Sequence, residues 1–331
     1  MLSYFYLEVS MEKQLCTYPL LDILMEFTDE NHSIRSKQIL RILEDQYELS
    51  IERHKLYSSI RQLNERGHDI VFDKHTKGYK LRSRIFAKSE VLTLCNAVHA
   101  SNFIPQKDSE RLINKLVGTL SKWEQEEYND EVYKPNPKKT PNESLMDNIE
   151  KASYAANNNL KLSFIYMQYG PTPNDGIQLQ EKHSTRVVIE PRYICFVDGR
   201  PYLIIQGGRI DGFMHYRLDR MTDAVILEEQ CTTPFNRIDA YEYASNKLFM
   251  YSGKEVHVTI KFQKRILDAM VDIFGTEPLL FETDENHYQI SVTVNDNGII
   301  FLAQQYIDAI EIISPEEIRN RIRKTIDATN Y

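Results

Sequence analysis

The feature that most constrains the fold is a helix with two different faces, followed directly by a short basic hairpin. A helix is predicted over residues 51–66, because Leu56, Ile60 and Leu63 recur at i, i+4 and i+7 and form one apolar stripe. The other side of the same helix carries hydrogen-bonding, aromatic and basic side chains: His54, Tyr57, Ser58 and Arg61. The pattern predicts that one face is buried and that the other can meet a polar partner.

The segments around this helix complete a recognisable arrangement. Apolar residues at helical spacing predict helices over residues 20–28 and from Ser33 or Ser36 to about residue 47. After the third helix, two short β-rich runs at 70–72 and 79–81 enclose a polar, glycine-containing turn and predict a hairpin. Three helices and a basic-tipped hairpin predict a winged helix-turn-helix domain over residues 1–85.

The remainder predicts a multidomain α+β chain. Residues 86–143 are predicted to form a helical connector that ends in a proline-rich linker at 129–143. After a helix near 144–156, about six short strands predict a small Sm/SH3-like antiparallel β-barrel within 144–230. Its first strand is expected at 160–166, a loop at 170–176 and a hairpin turn at Asp198-Gly199. The last segment, 231–331, alternates strands and helices and predicts a ferredoxin-like α+β unit.

Charge is distributed unevenly along the chain. The net charge is -8, yet residues 53–84 contain nine Lys or Arg against three Asp or Glu. Residues 231–331 contain ten basic and fifteen acidic residues. A basic block beside an acidic remainder indicates that one element meets phosphate, although a solvated basic face without a partner gives the same pattern.

Composition excludes several classes of protein. There is no run of about 18 apolar residues, which argues against a membrane-spanning helix and a membrane partner. The first ten residues lack the basic start and the cleavage site of a secretory signal. The four cysteines are isolated from one another, which favours the reducing cytoplasm: Cys16, Cys95, Cys195 and Cys231.

The order of these motifs resembles one family, the WYL-domain transcriptional regulators with a DeoR-like winged helix. Residues 49–57 (LSIERHKLY) resemble its turn into the recognition helix, and 78–81 (GYKL) resemble its wing strand. Residues 186–191 (RVVIEP), 199–203 (GRPYL) and 216–221 (YRLDRM) resemble its barrel strands, with Pro201 where the family has tryptophan. The final segment is similar to the family's WCX-type extension.

The predicted DNA interface follows from the polar stripe and the basic hairpin. Leading residues of a helix in the major groove meet base edges, and Lys side chains on a hairpin suit phosphate. Lys80 is a further candidate for phosphate. The predicted DNA-binding residues are Arg53, His54, Lys55, Tyr57, Ser58, Arg61, Lys74 and Lys77.

A second site is predicted in the barrel. The resemblance implies an effector pocket for a nucleotide or single-stranded nucleic acid, and arginines beside tyrosines suit that chemistry. The predicted ligand-binding residues are Arg186, Arg192, Tyr202, Tyr216, Arg217 and Arg220. Two alternatives are that Tyr202 is a core residue and that the arginines form structural bridges with nearby acids: Glu190, Asp198, Asp219 and Asp223.

No catalytic constellation, metal motif or cofactor motif is predicted, and Cys195 lies in an apolar strand typical of an inert thiol. The sequence therefore predicts a non-enzymatic, ligand-responsive transcriptional regulator that binds double-stranded DNA as a homodimer. The alternative is a non-catalytic nucleic-acid or protein interaction module whose helix-turn-helix is vestigial.

Overall fold

The structure is a computed structural model that describes residues 17–129, 138–173, 176–206, 213–234, 243–244, 246–251 and 253–328. The chain divides into two compact units, Met1–Lys139 and Thr140–Tyr331. None of the helices within the described ranges is long and apolar enough to cross a membrane. The predictions for residues 1–10, for Cys16 and for most of the 129–143 linker lie outside the described residues.

The first unit begins with three helices and a hairpin. Their bounds are α1, residues 17–27; α2, Ser36–Tyr47; α3, Arg53–Glu65; β1, Ile70–Asp73; and β2, Gly78–Leu81. The predicted stripe of α3 is buried, since Leu56 is 0% exposed and Ile60 7% exposed. These side chains share one apolar cluster with residues of α1, α2 and both hairpin strands, so the hairpin is fixed against the helices.

Three further helices complete this unit and lie within the segment predicted as a helical connector. They are α4, Lys88–Ala100; α5, Gln106–Val117; and α6, Lys122–Asn129. Val91, Cys95 and Leu120 lie in a separate apolar cluster beneath them. Lys139 donates hydrogen bonds to the carbonyl oxygens of Val98 (3.0 Å) and Ser101 (2.8 Å), near the C-terminal end of α4.

The second unit opens with α7, Leu145–Asn157, and seven strands. The strands are β3, Leu160–Thr172; β4, Gly176–Glu181; β5, Val187–Ile189; β6, Pro191–Val197; β7, Arg200–Gln206; β8, Phe213–Arg217; and β9, Met221–Gln230. β3 pairs with β4, β5 and β9, while β6, β7 and β8 form a separate sheet.

The predicted closed barrel is not formed by the described strands. The chain passes from one sheet to the other at two points. Glu190 lies between β5 and β6, and a 3₁₀ turn at Leu218–Arg220 lies between β8 and β9. β9 then returns to pair with β3 instead of continuing beside β8. The segment from α7 to β9 is therefore a pair of antiparallel sheets that pack against α7.

The two turns predicted in this region have different outcomes. The loop expected at residues 170–176 is mostly wrong, because β3 continues to Thr172 and pairs with β4, which begins at Gly176. The hairpin expected at Asp198-Gly199 is present between β6 and β7. Both residues have positive φ, 48° and 64°, as a two-residue hairpin turn of type I′ requires.

The C-terminal segment forms a four-stranded antiparallel sheet in the order β11-β12-β10-β13. The elements are β10, Glu255–Gln263; α8, Leu267–Phe274; β11, Phe281–Asp284; β12, His287–Asn295; α9, Asp296–Gln305; β13, Ile310–Ser314; and α10, Glu316–Asp327. Val258, Ile260 and Phe262 alternate along β10 and are fully buried in the core of this segment.

Candidate functional site

The face of α3 opposite its buried stripe is open to solvent. Arg53, His54 and Arg61 are exposed, Tyr57 is 46% exposed and Ser58 is half-buried. His54 Nδ1 lies 2.9 Å from the carboxylate of Glu52, and both side chains are largely exposed. An exposed pair of this kind contributes little stability and is easily exchanged for another partner.

The hairpin presents two more of the predicted residues at its tip. Lys74 and Lys77 are exposed, and Lys77 has φ +55°, which places it in the left-handed region of the turn. Lys55, at the first turn of α3, is also exposed. Lys80, a further candidate for phosphate contact, is instead bound by protein groups. Its ammonium lies 2.9 Å from Asp73 and 3.0 Å from the carbonyl oxygen of Glu30.

The hairpin tip is held in place by hydrogen bonds. Asp73 accepts the backbone N–H groups of His75 and Thr76, at 2.9 and 3.4 Å. Ser33 Oγ donates to Thr76 Oγ1 at 2.6 Å, and Arg35 Nε donates to the carbonyl oxygen of Thr76 at 3.2 Å. The tip is thereby tied to the residues that precede α2, and the positions of Lys74 and Lys77 relative to α3 are defined.

In the second unit, three of the four predicted arginines are engaged by protein groups. The side chain of Arg192 is 3% exposed, and its guanidinium pairs with Glu190 at 2.7 Å. The guanidinium of Arg217 makes a two-pronged pair with Asp219 at 2.9 and 2.6 Å. Arg186 pairs with Asp223 and donates to Ser163 Oγ at 3.0 Å. These pairs are the structural bridges with nearby acids that the sequence offered as an alternative to ligand binding.

Arg220 is different from the other three. Its guanidinium carbon lies 5.7 Å from the centre of the Tyr169 ring, and its Nε is buried without a hydrogen-bond partner among the described residues. No carboxylate forms an ion pair with it within the described part of the chain. A guanidinium that is not paired with a carboxylate can still donate hydrogen bonds to an anion.

The two predicted tyrosines have different surroundings. Tyr202 is 6% exposed and packs in an apolar cluster with Cys195 and Ile204, so the core alternative describes its position. Tyr216 is half-buried and packs edge-on against Tyr166, with ring centres 5.0 Å apart. Burial raises the pKa of Tyr216, as it does that of Cys195, which rises to about 11 and leaves an inert thiol.

Tyr169 was not among the predicted residues. It lies in the extension of β3 beyond the strand end expected at residue 166, it is 46% exposed, and it lines a cavity of about 500 Å³ together with Thr222 and Leu179. The signal available in the sequence was the aromatic character that continues along β3 from Phe164 and Tyr166 to Tyr169. No group of three or more potential metal ligands occurs among the residues that the structure describes.

A comparison with models of known protein families finds a match for part of the second unit. Residues 148–226, which include most of α7, all of β3 to β8 and the first part of β9, match the WYL domain. The match includes all six predicted ligand-binding residues as well as Tyr169.

Two solved structures are similar to a larger part of the chain. One is proteasome accessory factor B/C (PafBC) of Arthrobacter aurescens, with 14% identity, a TM-score of 0.25 and coverage of 96% of this chain. This chain spans 48% of the length of that one. The other is a CRISPR Cas-related protein, with 15% identity, a TM-score of 0.32 and coverage of 94% of this chain and 91% of that chain. A comparison with curated proteins gives no match.

Proposed function

We propose that this protein is a ligand-responsive DNA-binding transcriptional regulator without catalytic activity. In this proposal residues 1–85 are a winged helix-turn-helix and 86–143 a helical connector. Residues 144–230 are an effector-sensing WYL domain and 231–331 a WCX-like, ferredoxin-like extension. The WYL match supports a regulator with a ligand-sensing or nucleic-acid role.

The observation that carries the DNA-binding part is the open polar face of α3. Leu56 and Leu63 fix the helix to its domain, while Arg53 and Arg61 remain exposed on the other side. Arg at such positions binds guanine O6 and N7 with two hydrogen bonds. In the proposal α3 is the recognition helix, and the hairpin is a wing that contacts phosphate.

The proposed contacts separate into two kinds. Base edges are contacted from α3, and phosphates are contacted from its first turn and from the wing, where charge adds affinity without sequence preference. The proposed base-contacting residues are Arg53, His54, Tyr57, Ser58 and Arg61. The proposed phosphate-contacting residues are Lys55, Lys74 and Lys77.

The DNA-binding proposal is tested by selection from random duplexes of about 30 base pairs, enough for two half-sites about 10 base pairs apart. The selected duplex is then used in gel shifts with Arg53→Ala/Arg61→Ala. The double variant is expected to bind about a hundredfold more weakly, since each good contact contributes about 1–3 kcal/mol. The control is Arg323→Ala/Lys324→Ala, which removes the same charge from exposed positions on α10. Equal binding by both double variants contradicts the proposal.

For the effector we propose a nucleotide or single-stranded nucleic acid, held first by Arg220 and Tyr169. The guanidinium would donate to a phosphate, and the exposed ring of Tyr169 would stack on a base. The cavity beside Tyr169 leaves room for such a ligand. Arg186, Arg192 and Arg217 would contribute mainly by holding the strands in place, because their guanidinium groups are already bound.

The effector proposal is tested with Arg220→Ala and with the control Arg200→Ala, which removes an exposed arginine from β7 of the same domain. Probes are the four nucleoside monophosphates and a 5′-phosphorylated single strand, and the readout is their effect on binding of the selected duplex. Arg220→Ala is expected to abolish that effect and to leave basal duplex binding unchanged. A response that survives in Arg220→Ala contradicts the assignment.

A further inference from the structure

Three aromatic side chains join the wing to the recognition helix. Phe72 on β1 and Tyr79 on β2 are direct cross-strand partners, and their ring centres are 5.2 Å apart in an edge-on arrangement. The ring centre of Tyr57 on α3 lies 6.4 Å from that of Tyr79. We refer to Tyr57, Tyr79 and Phe72 as the aromatic ridge.

The aromatic ridge is anchored at its middle and exposed at both ends. Tyr79 packs against the apolar cluster of the domain, and its backbone exchanges hydrogen bonds of 2.8 and 3.0 Å with Ile34. Phe72 is 52% exposed and Tyr57 46% exposed. The domain therefore holds two half-exposed aromatic side chains toward solvent in defined positions.

The charges beside the aromatic ridge indicate its partner. Lys74 follows Phe72 by two positions, and Arg53 and Arg61 lie one helical turn before and after Tyr57. Asp73, the acid next to Phe72, is neutralised by Lys80 at 2.9 Å. An apolar strip between cationic groups is complementary to duplex DNA, in which sugars and thymine methyl groups lie between phosphates.

We propose that the aromatic ridge is the apolar part of the DNA interface and that Phe72 contacts the duplex directly. This inference rests on the proposed function and adds Phe72, which the polar and basic residue set did not include. Phe72 and Tyr57 pack against deoxyribose and the methyl groups of thymine, while the cations on either side bind phosphate. Affinity from this contact is independent of salt, because it releases no counterions.

The test measures binding of the selected duplex over a range of salt concentrations. Phe72→Ala is expected to weaken binding about tenfold with an unchanged salt slope, since it removes only apolar contact. Lys77→Ala is expected to make the slope shallower by about 0.9. The matched control is Phe281→Ala, which removes a phenylalanine that is 57% exposed on β11 in the acidic C-terminal segment, and it is expected to change neither quantity.

A second variant separates direct contact from a structural role. Phe72→Trp adds an indole to a chain whose only tryptophan is Trp123. Addition of duplex is expected to quench this added fluorescence but not that of the wild-type protein. Quenching also identifies direct contact if Phe72→Ala lowers stability.

The outcomes distinguish the two proposals. Normal duplex binding by Phe72→Ala, when Arg53→Ala/Arg61→Ala binds weakly, overturns the aromatic ridge and leaves the proposed function intact. Failure of the wild-type protein to select any duplex overturns both. A change in oligomeric state on Phe72→Ala, with duplex binding unaltered, assigns the aromatic ridge to a protein contact and also overturns the inference.

Discussion

At the scale of single residues, Glu190 contributes to stability through the bonds that its carboxylate accepts. It takes the backbone N–H groups of Thr232 and Thr233 at 2.9 and 3.0 Å and pairs with Arg192 at 2.7 Å. Burial raises the pKa of this carboxyl, but the hydrogen bonds from Thr232 and Thr233 outweigh burial and lower it to about 2, from an ordinary value of 4.5. The folded state therefore favours the ionised form.

We expect Glu190→Gln to lower the free energy of unfolding by about 2 kcal/mol at pH 7. Because the folded pKa is the lower one, this stabilisation is complete above about pH 4.5 and is lost as pH falls toward 2. Urea unfolding followed by circular dichroism is therefore expected to show a smaller difference between variant and wild type at pH 3. The control is Glu229→Gln, whose side chain is 66% exposed. A difference that stays constant with pH contradicts this account.

The chemistry of the arginine cluster was predictable from the sequence, but its pairing was not. The sequence named the acids that hold Arg186, Arg192 and Arg217, yet Arg186 is 37 positions from Asp223, its partner. Such a pair depends on the pairing of β3 with both β5 and β9, which periodicity does not determine. For the same reason the isolation of Arg220 is visible only in the structure.

At the scale of secondary-structure elements, the wing turn allows opposite predictions at two adjacent positions. A Cβ on Gly78 would lie 2.6 Å from Ser33 Oγ and 3.0 Å from the carbonyl oxygen of Ile34. Gly78→Ala is thus expected to lower stability by about 2 kcal/mol through overpacking. Lys77 has a left-handed backbone, φ +55°, so Lys77→Gly is expected to raise stability by about 0.5 kcal/mol.

Both wing variants can be followed by the fluorescence of Trp123. This residue is the only tryptophan of the chain and stacks on His32 in the first unit, with ring centres 4.8 Å apart, so its signal reports unfolding of that unit. A fall in stability for both variants would mean that the conformation of the turn differs from the one described.

The elements differ in how well the sequence determined them. α2, α3 and the β1-β2 hairpin were predicted nearly to the residue, because one amphipathic period and one turn define each of them. The far end of β3 and the whole of β4 were missed, since Gly170 and Pro171 are typical of loops and here lie in a strand. Closure into a barrel was expected from the number of strands, but strand number does not fix which strands pair.

At the scale of the whole molecule, four sequence segments form two compact units, Met1–Lys139 and Thr140–Tyr331. The apolar clusters beneath α1–α3 and α4–α6 belong to the first unit, and those of the strand-rich segments belong to the second. Each unit therefore has its own buried core, which is the condition for folding alone. All proposed DNA contacts lie in the first unit, and all proposed effector contacts lie in the second.

This division gives a test of the homodimer that the sequence predicts. The fragment 1–139 carries one complete set of proposed DNA-contacting residues. It is therefore expected to bind a single half-site with the salt dependence of one winged helix-turn-helix domain. The two winged helix-turn-helix domains of a symmetric dimer neutralise twice as many phosphates on a palindromic duplex as the fragment does on a half-site. The slope of log K against log salt is then about twice as steep for the full chain. Sedimentation of the full chain with and without duplex measures its oligomeric state independently. Equal slopes for the fragment and the full chain would show that only one winged helix-turn-helix domain binds at a time. The prediction of a symmetric DNA-binding dimer would then have to be abandoned.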